Sequence, residues 1–210
     1  MAVLKHEESF FNHKKVERLM KINGIVAKTK RKFKVAKNAK HNYPVAPNKL
    51  YLSDISYMRT KKGWLYLAAV LDAYTRKIVG FSMSERQTKK FIKNILLYTI
   101  TQQKINGEII LHSDQGKQYA SYSYRDLCKE YGFIQSMSGR GNCYDNAMME
   151  SFFHTLKTEK VYWQNYETRA EAKTSIFKYI EINYNRMRLH SGIGYKTPVE
   201  FEMLAKRLQN

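Results

Sequence analysis

Three carboxylates in this chain, Asp54, Asp114 and Glu150, sit in local contexts that suit catalysis better than a solvated surface. Asp54 falls in the alternating run Leu50-Tyr51-Leu52-Ser53-Asp54-Ile55-Ser56-Tyr57, whose period of two predicts a half-buried strand. Asp114 follows the short apolar run Ile109-Ile110-Leu111 and precedes Gln115-Gly116, where a glycine lets backbone approach closely. Glu150 stands within a stretch of helical periodicity, residues 145–159. Acids delivered from two strands and a helix make a hard-oxygen cluster suited to Mg²⁺ or Mn²⁺. On a chain of net charge +19, such a cluster points to phosphodiester chemistry on nucleic acid.

The elements that must carry these acids follow from patterning. Residues 50–57, 64–73 and 77–83 read as successive strands with turns at Gly63 and 72–76, which predicts an antiparallel meander. Helical spacing over 88–103, a short strand at 108–111, a helix over 122–131, a strand at 133–137 and the Glu150 helix complete an α/β order. Asp54 is thereby expected on a central strand with neighbours on both sides. On the Glu150 helix, Met149, Phe152, Phe153 and Leu156 form the stripe expected to face the sheet. Glu150, His154 and Lys157 fall on a different face, with Lys157 aimed at a phosphate beside the acids. A long helix over 169–185, a basic polar turn over 184–195 and a helix over 198–208 with Pro198 in its first turn end the chain.

Several other side chains carry plainer expectations. Asp72 is read as a turn former and Asp145 or Asn146 as the cap of the Glu150 helix. Arg140, in the glycine-rich stretch before that helix, is read as a DNA contact. Tyr119 and Tyr122 fit either a core or a base-stacking role. His154 is read as a solvated surface residue rather than a catalytic one.

At 210 residues, with 43% hydrophobic and 13% aromatic side chains, the chain can bury one sizeable core plus an appendage. The first 49 residues carry about half of the net positive charge. Within them, residues 13–24 read as one amphipathic helix with Asn23-Gly24 at its C-terminal end. The following basic run includes Lys30, Arg31, Lys32 and Lys34 and is read as an arm that tracks phosphates. Two cysteines without zinc-ligand spacing argue against a zinc module and for reduced thiols. No apolar run reaches 18 residues and the N-terminus lacks a signal-peptide core, so no membrane association and a cytoplasmic location are expected.

From about Val45 onward the chain resembles the catalytic half of bacterial insertion-sequence transposases, in the Asp-Asp-Glu superfamily that includes retroviral integrases. The residues that carry the resemblance are His112-Ser113-Asp114-Gln115-Gly116, Gly141-Asn142-Cys143-Tyr144-Asp145-Asn146-Ala147, Glu150-Ser151-Phe152-Phe153 and Leu156-Lys157. Tyr184-Asn185, Arg188 and His190 ahead of Gly194-Tyr195-Lys196-Thr197-Pro198 extend it. More narrowly, the chain looks like the second-frame (orfB) product of elements that make transposase by frameshifting.

The resemblance implies a ribonuclease H-like mixed five-stranded sheet flanked by helices, with residues 48–205 as the catalytic core and its C-terminal helices. Residues 1–47 would be a basic arm with an incomplete helix-turn-helix, its preceding helix missing. It also implies Mg²⁺- or Mn²⁺-dependent cleavage and strand transfer by Asp54, Asp114 and Glu150 on two ions, with Asp54 the natural bridge. Lys157, Arg188 and His190 would contact DNA. Expected partners are transposon-end and target DNA, further copies of the chain, and an upstream-frame protein or fusion. The chain departs from the family at Tyr51, where a tryptophan is usual, and in the loop Ser138-Gly139-Arg140-Gly141, where a second basic residue is usual. A nuclease of the same fold that only hydrolyses, and a truncated DNA-binding remnant that competes with full-length transposase, are the alternatives.

Overall fold

Unbroken alternation from Lys49 to Thr60 builds the longest strand among the described residues, β1. Its buried positions continue past residue 57 to Met58 and Thr60, so the strand outruns the 50–57 span that patterning suggests. The computed structural model describes residues 12–25, 49–102, 109–138 and 146–208. The chain separates into two units, Met1–Pro47 and Asn48–Asn210.

In the first unit, helix α1 (His13–Ile22) starts at Asn12, whose side chain accepts from the Lys14 amide. It ends with Gly24 at φ 65°, with Ile25 N–H donating to Met20 O and Gly24 N–H to Lys21 O. That pair of bonds is the left-handed helix stop that glycine favours. None of the helix is buried. The basic residues Lys30, Arg31, Lys32 and Lys34, and whatever precedes α1, lie outside the described residues.

The second unit is a five-stranded sheet in the order β3-β2-β1-β4-β5, with β2 Gly63–Asp72, β3 Ile78–Ser84, β4 Ile109–Ser113 and β5 Phe133–Met137. The first three strands form the expected antiparallel meander, while β4 and β5 join in parallel. Asp72 turns the chain between β2 and β3, accepting from the Tyr74 amide and the Thr75 hydroxyl, both at 2.9 Å.

Helices cover both faces. Helices α2 (Lys89–Gln102) and α3 (Tyr122–Glu130) pack with Tyr51, Ala68, Val70, Ile109 and Leu111 on one side. On the other, Met149, Phe152, Phe153 and Leu156 of α4 (Ala147–Glu159) meet Leu52, Met58, Leu65 and Leu67. All four α4 side chains are buried, and each contributes roughly 2 kcal/mol of transfer free energy. That buried stripe fixes the roll of α4 and with it the direction of Glu150.

After α4 come a short turn of helix at Val161–Trp163, α5 (Arg169–Lys178), a π-helical extension at Tyr179–Met187 and α6 (Pro198–Arg207). The extension overruns the expected end at 185, and its wider winding is not legible as a change of period. It buries Asn185, whose side-chain carbonyl accepts from Ile78 N–H at 2.9 Å and whose amide donates to Ile78 O at 3.1 Å. Ile78 opens the edge strand β3, so this side chain occupies the place of a further strand. Helix α6 starts with Pro198 and a reciprocal pair of bonds between Thr197 and Glu200.

Candidate active site

Two of the three acids are brought together by strand register. Parallel pairing of β1 with β4 runs from Lys49↔Ile109 to Ser53↔Ser113 and stops there. The next residues are Asp54 and Asp114, which leave side by side at the C-terminal end of the parallel pair. This is where α/β sheets present ligand groups. The expectation that Asp54 has strand neighbours on both sides therefore fails on the β4 side. It pairs with Ala69 of β2 alone, because the five-residue β4 ends before the twelve-residue β1 does.

Glu150 reaches this end of the sheet from the first turn of α4. Its approach is visible in the state of Asp54, whose pKa is pushed up to about 6. Burial is the main cause, opposed by the bond that Asp54 accepts from the Ile55 amide at 2.7 Å. The negative charges of Asp114 and Glu150 raise it further, and Lys157 pulls the other way. The four groups thus share one electrostatic field. Among the described residues, no three His, Cys, Asp or Glu side chains converge into a ready-made coordination shell. The acids feel one another without meeting, as like charges do. Their chemistry still fits a hard divalent cation: all the donors are carboxylate oxygens, and a cation would relieve the repulsion that lifts Asp54.

The supports of Asp114 are local. Its carboxylate accepts from the Gly116 amide at 3.0 Å. Gln115 donates to Ser138 O at 3.0 Å, and His112 bridges the hydroxyls of Ser136 and Ser138, each at 3.0 Å. These bonds tie the end of β4 to the end of β5, where the chain leaves for α4. Sequence reasoning misses this holding role of His112 and Gln115; their only signal is their position around Asp114. A Cβ at Gly116 would lie 2.9 Å from the Asp114 carboxylate oxygen. Gly116→Ala is therefore expected to displace that carboxylate and lower strand transfer by about tenfold to a hundredfold. The thermal midpoint should barely move, since the glycine is at the surface; single-turnover rates alongside a melting curve check both parts.

Lys157 is half-buried, with its Nζ 5.3 Å from the centre of the Tyr57 ring. Burial lowers its pKa while Asp54 raises it. His154 is exposed. Tyr119 and Tyr122 separate cleanly: Tyr119 is 1% exposed, with its hydroxyl 2.9 Å from Ser53 Oγ, whereas Tyr122 is 80% exposed. Asn146 stands at the start of α4 but makes no side-chain capping bond, and its buried Oδ1 has no partner among the described residues. Asp145 and Arg140 lie outside the described residues.

Arg188 and His190 are placed in the packing that follows α4. Arg188 pairs with Glu159 at 2.5 Å, and Glu159 also accepts from the Tyr179 hydroxyl at 2.6 Å. His190 lies edge-on to Tyr184, with ring centres 4.8 Å apart. Burial first, and then Arg188 and Arg76, depress its pKa to about 4. It is neutral at pH 7 and brings no cation to a phosphate.

Known proteins resemble this arrangement. The integrase core domain family matches residues 44–143, a second integrase core domain family matches residues 150–204, and an HTH-like domain family matches residues 1–33. The transposase for insertion sequence element IS904 of Lactococcus lactis is 45% identical over 203 residues, covering 91% of this chain and 80% of that protein. Transposase InsF for insertion sequence IS3A of Escherichia coli K12 is 38% identical over 204 residues, covering 91% and 71%.

Among solved structures, the catalytic core domain of BIV integrase superposes with a TM-score of 0.57 at 17% identity, over 77% of this chain and 98% of that one. The HTLV-2 integrase catalytic core domain, in complex with magnesium, gives 0.55 at 16%, over 74% and 96%. At such identities the likeness is one of fold, and it is the ribonuclease H-like fold that the family resemblance implies. With relatives this similar along nine-tenths of its length and integrase core matches on both sides of α4's start, the chain belongs to the insertion-sequence transposases built on an integrase core domain.

Proposed function

We propose that this chain cuts and joins DNA at insertion-sequence ends, with Asp54, Asp114 and Glu150 holding a pair of Mg²⁺ or Mn²⁺ ions. The observation that carries this reading is the side-by-side exit of Asp54 and Asp114 from the parallel pair, with the charges of both Asp114 and Glu150 acting on the buried Asp54. Bound there, the ions would supply Lewis-acid stabilisation of the attacking and leaving oxygens of phosphoryl transfer. The chain's own residues do the positioning. Ladder bonds to β2 and the Ile55 amide fix Asp54, Gly116 and its neighbours hold Asp114, and the buried stripe of α4 aims Glu150. Lys157 offers its ammonium to a DNA phosphate at the edge of the acid cluster, and Arg140 offers a second cation from the segment before α4.

Residues 48–205 form the catalytic core in this reading, and residues 1–47 a DNA-binding arm. The chain acts as a homo-oligomer on DNA in the cytoplasm, together with an upstream-frame protein or as a fusion to it. Among the described residues, no helix is long and apolar enough to cross a membrane.

Strand transfer of a radiolabelled transposon end into plasmid tests the reading. Product should require Mg²⁺ or Mn²⁺ and vanish in Asp114→Ala and Glu150→Ala, while both variants still bind DNA. Hydrolysis without joining would instead indicate a nuclease, and DNA binding with neither reaction a regulatory remnant. For the arm, replacing Lys30, Arg31, Lys32 and Lys34 by Gln should flatten the dependence of log K on log salt by about 0.9 for each phosphate that is no longer neutralised. An unchanged slope would remove the arm from the DNA interface.

A further inference from the structure

Beyond Ser53 no described strand pairs with the edge of β1 that faced β4, and a groove of about 780 Å³ borders its far end, where the Lys61 amide donates to Tyr166 O at 3.0 Å. Consecutive residues from Tyr57 to Lys61 line this groove. The opposite wall is the turn that follows α4, including Tyr162. Strand alternation leaves Tyr57 and Arg59 exposed, and register sets Arg59 opposite Trp64. Tyr57 is 54% exposed, Trp64 47% and Tyr162 70%. Tyr57 and Trp64 meet edge to face with ring centres 5.2 Å apart.

Three cations border these rings. Lys157 stands over Tyr57. Arg59 makes no ion pair among the described residues, and Lys61 pairs only with Glu167, both of them largely exposed. A pair so exposed is weak and readily exchanged for a phosphate. Lys157 belongs both to this groove and to the field around Asp54.

Resting on the transposase reading above, we infer that this groove seats an unpaired strand of the DNA end beside the acid cluster. Its bases stack on Tyr57, Trp64 and Tyr162, and its phosphates meet Arg59, Lys61 and Lys157. Exposed aromatic faces interleaved with cations are what sequence-tolerant single-strand binding requires, because every base has a face to stack and every link a charge. A duplex keeps its base faces covered and could use only the cations. An extended peptide could add to an open strand edge, but it gains nothing from three cations unless it is acidic, and the same edge carries Asp54. Tyr57 lies three residues beyond Asp54, roughly 10 Å along the strand and on the other side of the pleat, and Lys157, near both, links the groove to the acids.

Trp64 reports on the groove directly, because the chain has only one other tryptophan, Trp163. In a Trp163→Phe background, with chelator present so that no cleavage occurs, Trp64 fluorescence is titrated with three probes. These are short oligothymidylate, an abasic oligomer of the same length and charge, and a blunt duplex. Oligothymidylate should quench Trp64, and the other two should not. Tyr57→Ala should weaken the quenching titration about tenfold, while Tyr57→Phe, which keeps the ring, should restore it.

Equal quenching by the abasic oligomer would show that charge alone binds there and would overturn the stacking platform. Equal quenching by the duplex would overturn the preference for an unpaired strand. Oligothymidylate binding that ignores Tyr57→Ala would overturn the groove as its seat. Because the titration needs no catalysis, its failure leaves the strand-transfer assay standing, and failure of that assay leaves this measurement intact.

Discussion

Asp54→Asn is expected to lose strand transfer by at least a thousandfold and yet to leave the metal-free protein more stable at neutral pH. The loss follows because groups that hold one reactive centre act as a unit, so removing one is about as severe as removing all. The gain follows from the raised pKa. Asp54 ionises near 6 in the folded chain against an ordinary 3.8, a difference of roughly 3 kcal/mol in the cost of its charge. Below about pH 4 the acid is protonated in both states and costs nothing. Between 4 and 6 the unfolded chain ionises first, so folding stability falls as pH rises, and above 6 the full penalty remains. Asparagine keeps a carbonyl for the Ile55 amide and carries no charge. Denaturation curves in chelator should therefore nearly coincide at pH 4 and separate by about 2–3 kcal/mol at pH 7. Curves that stay together at pH 7 would mean that neither burial nor the neighbouring acids make the Asp54 charge costly.

Lys157→Ala should lower strand transfer by about tenfold to a hundredfold at limiting DNA, the value of a charge-assisted bond to a phosphate. Saturating DNA should recover much of the loss, and the metal requirement should stay put. Lys157→Arg should keep part of the activity, since it supplies a cation of different shape and reach. Titrations of all three proteins against DNA and against Mg²⁺ separate the roles. A normal DNA requirement with a raised Mg²⁺ requirement would move Lys157 from the phosphate to the ion site. Wild-type behaviour in both would make it an ordinary surface lysine.

Much of this architecture can be read from local pattern. Alternation reveals β1, and the stripe Met149, Phe152, Phe153, Leu156 reveals how α4 lies on the sheet. What alternation cannot reveal is how far each neighbour pairs with β1. The side-by-side exit of Asp54 and Asp114 depends on β4 stopping at Ser113, a matter of pairing length that no periodicity encodes. Tyr119 cannot be separated from Tyr122 by type, because the difference lies in a hydroxyl within reach of Ser53, sixty-six positions away. His190 looks like a DNA contact through its motif, and only the fold reveals the burial and the neighbouring Arg188 and Arg76 that depress its pKa. The π-helical winding at Tyr179–Met187 escapes because nine residues are too few to distinguish its period from that of an α-helix.

That winding turns Asn185 onto the outer edge of β3. If several copies gather on one DNA molecule, as proposed, each would meet a high local concentration of sheet edges. An open edge strand is a template for pairing with another chain, and natural sheets protect such edges by covering or interrupting them. A single amide that fills both hydrogen-bonding positions of Ile78 blocks that pairing at the start of the strand. In the proposed assembly, such a block would steer copies away from accidental strand-to-strand fusion at this edge.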